Sequence, residues 1–327
     1  MRAAWYGRPG AADDVLVVGE FPEPEPGIGE VRVRLRATGV NPADVKRRAG
    51  AGERAMLGPR VVPGDDGAGV IDRVGPRVPA ERLGSRVWVH SANHGRALGT
   101  SAEYVVVPAD RALPLPDNVS FEVGACLGVP ALTAHRAVFA DGPVAGKTVL
   151  VTGGAGAVGH YAIELAKHGG ATVLATASSP DKQKSALAAG ADHVVDYRSD
   201  DAVAEILELA GGGVQRIVDV AFGANLPLTA AVISANGTIA AYGSDAVAEP
   251  ALPFYPLMRK GVTIRTVQVF TMPPPAVRAA TEHVNRLLAD NVLTHPVAAR
   301  FPLAEIAAAH RLVESGDAVG KVLLAER

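Results

Sequence analysis

The stretch Lys147-Thr-Val-Leu-Val-Thr-Gly-Gly-Ala-Gly-Ala-Val-Gly159 decides the fold of this chain. Lys147 to Val151 is a short apolar run rich in β-branched residues, the composition of a strand buried on both faces. It stops at Gly153 and Gly154, and a helical pattern follows with Val158, Ala162 and Leu165 on one face. Gly154, Gly156 and Gly159 stand at G-x-G-x-x-G spacing, with Ala157 and Val158 between the last two. The first glycine serves a tight turn, the second lets the backbone approach a pyrophosphate, and the third lets the helix pack on the strand. The new helix offers the phosphates its unpaired N–H groups and its positive dipole end. A glycine trio alone is a weak signal. The strand before it, the helix after it and a second apolar run at Ala171-Thr-Val-Leu-Ala-Thr176 make it a dinucleotide-binding βαβ unit.

Strand–helix alternation continues on the C-terminal side. Apolar runs at 193–196, 216–220 and 237–242 alternate with helical segments at 181–189, 202–210 and 226–233. This alternation implies a doubly wound parallel sheet, to which residues 262–270 add one more strand. Before Phe121 the chain reads differently. Short apolar runs between Pro/Gly turns suggest a β-barrel-like domain. In it Val31, Val33 and Leu35 alternate with Arg32, Arg34 and Arg36. Those arginines form either a phosphate-binding stripe or a solvated face, and strand spacing favours the face. Residues 125–139 read as a helix interrupted at Pro130. After a long helix at 276–289 and another at 303–314, a last strand at 321–325 returns to the barrel. The domain reading is therefore 1–122 as the first part of a catalytic domain, 123–270 as an inserted cofactor domain, and 271–327 as the return.

Composition sets the outer limits. The chain has 327 residues, enough for two domains, and is 48% hydrophobic and 20% charged, as a soluble globular protein is. A net charge of -2 gives no field that favours nucleic acid or an anionic membrane. Cys126 is the only cysteine, which excludes an internal disulfide and a multi-cysteine structural zinc site. The start lacks the apolar core of a signal peptide, and no apolar run approaches the ~20 residues of a membrane span. The expectation is a cytoplasmic protein.

Cofactor choice is read from the end of the second strand. An NAD site usually places an acid there, about twenty residues past the glycines, to hold the ribose 2′-hydroxyl. Here Ala177-Ser178-Ser179-Pro180-Asp181-Lys182 follows instead. Ser178, Ser179 and Lys182 suit a 2′-phosphate, and Asp181 reads as a first-turn acid after a Ser-Pro helix start. NADPH is preferred to NADH.

The chain resembles the medium-chain dehydrogenase/reductase superfamily, in particular its zinc-free quinone oxidoreductase branch. The resemblance rests on Gly39-Val-Asn-Pro-Ala-Asp44, Pro63-Gly-Asp-Asp-Gly-Ala-Gly-Val70 and Pro130-Ala-Leu-Thr133. It continues through 153–159, Gly190-Ala-Asp-His-Val-Val-Asp-Tyr197 and Gly320-Lys-Val-Leu-Leu324. It implies a Rossmann domain inserted into a GroES-like β-barrel domain, an NADPH-filled cleft, and a homodimer joined through 262–270. By the same resemblance Asn41 contacts the nicotinamide side and Thr133 the cofactor ribose or phosphate. Ser178, Lys182 and Tyr197 surround the 2′-phosphate. Tyr242, Gly243 and Ser244 pass near the pyrophosphate or nicotinamide ribose, Phe270 joins the cofactor set, and Gly320 and Lys321 close the cleft. Each also has an ordinary structural reading: Asn41 and Asp44 as turn formers, Thr133 as a helix hydroxyl, Tyr197 as a half-buried aromatic.

The residues themselves argue against catalytic zinc. Asn41 and Asp65-Asp66 stand where the alcohol-dehydrogenase branch has a ligand cysteine and a His-Glu pair. His90 and His94, in a Gly/Ser/Asn-rich loop, read as surface histidines, so no metal is expected. An acceptor reduced without a Lewis acid must itself be electron-poor, which points to a quinone or an α,β-unsaturated carbonyl. The catalytic set is Asn41, Asp44 and Lys46. Lys46 stands where relatives often carry a tyrosine. It could polarise a carbonyl or supply a proton, or with Arg47 and Arg48 it could be solvated helix surface. An enoyl-thioester or alkenal reductase is the second reading, with acceptor loops around 50–60 and 90–98. A non-catalytic NADPH-binding sensor or RNA-binding protein is the third.

Overall fold

Glycine and proline cut the first third of the chain into short strands. The computed structural model, which describes residues 1–50 and 56–325, shows how these strands assemble. In chain order come β1 (Arg2–Trp5), α1 (Ala12–Val15), β2 (Val17–Glu20), β3 (Glu30–Val40), α2 (Pro42–Ala49), β4 (Asp66–Val74), β5 (Arg86–Val89), β6 (Tyr104–Pro108) and β7 (Ala112–Pro114). A helix, α3 (Phe121–Phe139), follows. Then the alternating region runs β8 (Thr148–Val151), α4 (Ala157–His168), β9 (Thr172–Thr176), α5 (Pro180–Ala188), β10 (His193–Val195), α6 (Ala202–Leu209), β11 (Val214–Asp219), α7 (Phe222–Val232), β12 (Ile233–Ala241), α8 (Phe254–Lys260) and β13 (Thr263–Thr266). The chain closes with α9 (Pro274–Ala289), β14 (Val297–Phe301), α10 (Ile306–Ser315) and β15 (Lys321–Ala325). Two units result: Met1–Val129 with Thr281–Arg327, and Pro130–Ala280.

In the first unit β3 is the spine. Its eleven residues pair with β4 along one edge; along the other they pair with β6 over Glu30–Arg34 and with β15 over Ala37–Val40. The sheet order is β14-β15-β3-β4-β5-β7, with β6 also on β3. Val31, Val33, Ile71, Val87, Val89, Val105 and Val107 fill one side of it, fully buried, as strand alternation dictates. Each such burial contributes about 1.5–3 kcal/mol. Arg32 departs from the solvated-face expectation. Its guanidinium lies 2.7 Å from Asp72 and stacks 4.6 Å from the Tyr104 ring, so the residue is buried while Arg34 and Arg36 are exposed. An aromatic wall and a carboxylate across the ladder give that charge what water would have given.

The second unit carries a six-stranded parallel sheet, β10-β9-β8-β11-β12-β13. This is the doubly wound order, with its reversal between β8 and β11. Leu150, Leu174, Ile217 and Ile239, one from each of four neighbouring strands, are buried together with Val195 and Ile206. Two expected details change. The helix containing Pro130 is continuous over Phe121–Phe139, because Leu127, Ala131, Leu132, Ala134 and Val138 are buried around it. That burial outweighs the ~3 kcal/mol of one lost backbone bond and a proline clash. The strand expected over 262–270 stops at Thr266, and Val269–Thr271 forms a 3-10 turn that carries Phe270. No helix among the described residues is long and apolar enough to cross a membrane.

Candidate functional site

In the second unit the glycine turn is built as its spacing requires, with one reassignment. The left-handed residue is Gly153, at φ 64°, rather than Gly154. Gly154 is instead the close-packing position, since a Cβ there would stand 3.0 Å from both Ala175 and Ile163. Gly156 is the N-cap of α4 and is exposed, and Ala157 and Val158 open the helix beside it. Their N–H groups have no intrahelical acceptor and face outward with the dipole, as an anion site needs. Gly159 is buried against the turn itself.

At the ends of β9 and β10 the structure gathers the expected 2′-phosphate residues. Ala177 N–H donates to Val195 O across the two strands. Ser179 caps α5 and accepts from Lys182 N–H at 3.4 Å, with Pro180 at the first helical position, so Asp181 is the first-turn acid it was read as. Tyr197 is exposed rather than half-buried. Sequence reasoning missed Arg198. Its guanidinium donates to Ser178 O and lies 2.8 Å from Asp196, whose carboxyl it holds down at about 2. The signal was available, as a cation directly after Tyr197. At the end of β12, Tyr242 N–H donates to Asp219 O, and Gly243 sits where a Cβ would be 2.4 Å from Val220 O. Ser244 Oγ accepts from Gly223 N–H and donates to Val247 O, so its hydroxyl closes the loop. Burial, with the nearby charge of Asp219, pushes the Tyr242 phenol up. Thr133 is buried on α3.

In the first unit, register brings distant residues together. Leu323 pairs with Gly39, Gly39 with Asp66, and Gly67 with Val89, so Lys321, Asn41, Asp66 and His90 share one end and one face of the sheet. Asn41 directly follows β3 and is the N-cap of α2, and its N–H donates to Asp44 Oδ2 at 2.9 Å. Both residues thus have the turn-forming role as well. Asn41 Nδ2 donates to Asp66 Oδ2 at 2.8 Å, and Lys321 Nζ donates to the same oxygen at 3.0 Å and to Asn41 Oδ1. All four side chains are buried. Burial raises the Asp66 carboxyl, and the Lys321 ammonium opposes that rise. Gly320, at φ 98°, makes the turn into β15 that delivers this lysine, and its missing Cβ is where Pro296 O lies.

The basic trio is not solvated helix surface. Arg47 reaches Asp65 at 3.1 Å, and Arg48 is fully buried on Gly10 O and Glu314; only Lys46 and Arg47 keep partial exposure. Nor is His90 a surface histidine. It is 7% exposed, follows the end of β5 and has Nδ1 3.1 Å from Ser91 Oγ. Burial pushes its imidazole down to about 4, so it is neutral near pH 7. His94 is half-buried. Of the acceptor loops, residues 51–55 lie outside the described residues. Among the described residues there is no group of three or more His, Cys, Asp or Glu that could hold a metal ion.

The zinc-binding dehydrogenase family matches residues 157–286, and the alcohol dehydrogenase GroES-like domain matches residues 27–117. Over 327 residues the chain is 30% identical to the quinone oxidoreductase of Lama guanicoe, covering 99% of this chain and 97% of that protein. It is 30% identical over 315 residues to a 2-haloacrylate reductase of a Burkholderia species, covering 91% of each. Among solved structures it superposes on an NAD-dependent alcohol dehydrogenase with TM-score 0.91 at 33% identity, covering 100% of both chains. It superposes on the Escherichia coli quinone oxidoreductase complexed with NADPH with TM-score 0.88 at 26% identity, again over 100% of both.

Proposed function

We propose a function from one premise: the chain belongs to the medium-chain dehydrogenase/reductase superfamily, in its quinone oxidoreductase family. It is an NADPH-dependent reductase of a quinone or an α,β-unsaturated carbonyl, acting without metal. The donor set around Asn41 carries this reading. An amide and carboxylates stand there, already hydrogen-bonded to Lys321, Arg47 and backbone N–H groups. A zinc ion wants thiolate and imidazole, and these residues do not fit it. With no Lewis acid the acceptor must already be electron-poor.

The second unit fits the cofactor, which supplies the hydride. The turn at 153–159 and the start of α4 take the diphosphate, and Ser178, Ser179, Lys182, Tyr197 and Arg198 take the 2′-phosphate. In the first unit Lys321 and Asp66 hold the Asn41 amide in one orientation and make it a fixed hydrogen-bonding group. A C=C acceptor is the favoured alternative to a quinone, supported by the 2-haloacrylate reductase relative.

NADPH oxidation is expected to accelerate when a naphthoquinone or an enone is added, with no effect of a chelator. Turnover of simple alcohols alone, abolished by chelator, would sink the reading. Lys182→Ala is expected to weaken NADPH far more than NADH, and equal losses in titrations with each would remove Lys182 from the 2′-phosphate. The homodimer is supported by the outer edge of β13, unpaired in the sheet among the described residues, and by exposed Leu252, Phe254, Tyr255 and Met258 on and before α8. Tyr255→Asp is expected to shift the protein to monomer in sedimentation. An unchanged oligomer would place the interface elsewhere.

A further inference from the structure

Three buried carboxylates meet two cations at the end of β3. Asp44, Asp65 and Asp66 are at most 1% exposed, and Arg47 and Lys321 are the cations paired with them. With all three acids ionised, the described residues leave one negative charge without a counter-ion where water is excluded, which costs far more than binding a proton. Hydrogen bonds identify the acid that takes it. Asp66 Oδ1 accepts from Val129 N–H and Oδ2 from Asn41 and Lys321, while Asp65 Oδ1 accepts from Asn93 N–H and Oδ2 from Arg47. Asp44 Oδ2 accepts from Asn41 N–H. Asp44 Oδ1 accepts from nothing and lies 3.8 Å from Arg47 Nη1.

We propose that the resting protein holds one proton on Asp44 Oδ1, and that the reduced acceptor takes its proton from this store. The second half rests on the function proposed above. Hydride brings two electrons to the acceptor and leaves an anion, an enolate or a hydroquinone monoanion. The Asp44 O–H bond breaks, a C–H or O–H bond forms on that anion, and solvent reprotonates the remaining carboxylate, which Arg47 at 3.8 Å offsets only in part because it already pairs with Asp65. The groups facing Asp44 agree with this charge state. They are Tyr6 just after β1, Arg47 on α2, Asp65 just before β4 and Asp66 at its start. Burial first, then the charge of Asp65, pushes the Asp44 carboxyl well up, with Arg47 opposing.

The test has two arms. In the free wild-type protein near pH 7, infrared difference spectra are expected to show the carbonyl stretch of a buried protonated carboxyl. That band should vanish in Asp44→Asn and move in Asp44→Glu. With NADPH and an enone, Asp44→Asn is expected to lower kcat on the order of a hundredfold with the KM for NADPH unchanged. The wild-type fall in kcat as pH rises through the raised Asp44 pKa should disappear, and Asp44→Glu should restore part of the rate. A wild-type spectrum without the band overturns the store. A variant with wild-type kcat and pH profile overturns the delivery. Absence of turnover on every acceptor overturns the function and with it the delivery, while the infrared band, read without acceptor, still decides where the proton resides.

Discussion

Gly159→Ala is expected to yield a protein that has lost NADPH binding and a substantial part of its stability. The added Cβ would stand 2.3 Å from Gly153 O and 3.0 Å from Gly154 Cα. Those are backbone atoms of a turn already committed to a left-handed φ at Gly153, so no rotamer change relieves the clash. Overpacking of this kind costs about 1–3 kcal/mol, and more where only backbone can move. The strain would be released by lifting α4 off β8, which would move the helix N-terminus away from the proposed diphosphate site. Gly156→Ala separates the two effects. Its φ of -75° is open to any residue, and its Cβ would meet only Gly153 O at 3.4 Å. The expected result is a wild-type thermal midpoint with NADPH affinity reduced at least tenfold, since in the proposed cofactor site the diphosphate would approach this exposed position. Thermal unfolding and a fluorescence titration on the pair decide the matter. A Gly156→Ala protein that binds NADPH like wild type would remove this glycine from the phosphate site.

What could be read from the sequence follows a physical division. Periods and glycines are local, so the βαβ unit, the doubly wound sheet and the last strand at Lys321–Ala325 are legible from neighbours in the chain. Buried charge is not local. Arg32 finds Asp72 forty residues on, and Arg48 finds Glu314 at the far end of the chain. A composition-based reading assigns such arginines to solvent because their partners cannot be seen from where they stand. His90 failed for the same reason: its loop is rich in polar residues, yet β5 hands it to the face that carries Asp66. Lys321 shows both sides. Resemblance marks Gly320 and Lys321 as site residues, but only the pairing of β15 with β3 shows that the ammonium sits on Asn41 and Asp66. Even the glycine at position 39 becomes intelligible only then. A Cβ there would fall 2.6 Å from Lys321 Cε and 2.1 Å from Ala125 O.

Lys321→Met is expected to destabilise the protein by about 3–5 kcal/mol at neutral pH, the cost of leaving one half of a buried ion pair alone. Methionine replaces the stem that crosses Gly39 but not the ammonium. Asp66 Oδ2 would keep only Asn41 Nδ2, and Asn41 Oδ1 would lose the donor it now has. The defect has a sign in pH. Burial already raises Asp66 above its unfolded value, and removing Lys321 takes away the main influence that lowers it. A carboxyl whose folded pKa is raised keeps its stabilising contribution below the unfolded pKa, near 4, and loses it as pH rises through the folded value. The gap between variant and wild type should therefore be small near pH 4 and largest above neutrality. A second change, Asp66→Asn, removes the stranded charge and keeps an acceptor for Val129 N–H. The Lys321→Met/Asp66→Asn protein should recover most of the loss, so that the two substitutions together cost less than the first alone. Denaturant unfolding of the single and double variants from pH 4 to 8 measures this coupling. A double variant as unstable as Lys321→Met, or a single variant with no pH dependence, would mean that the ammonium does not hold Asp66 in place. The fixed orientation of Asn41 would then need another cause.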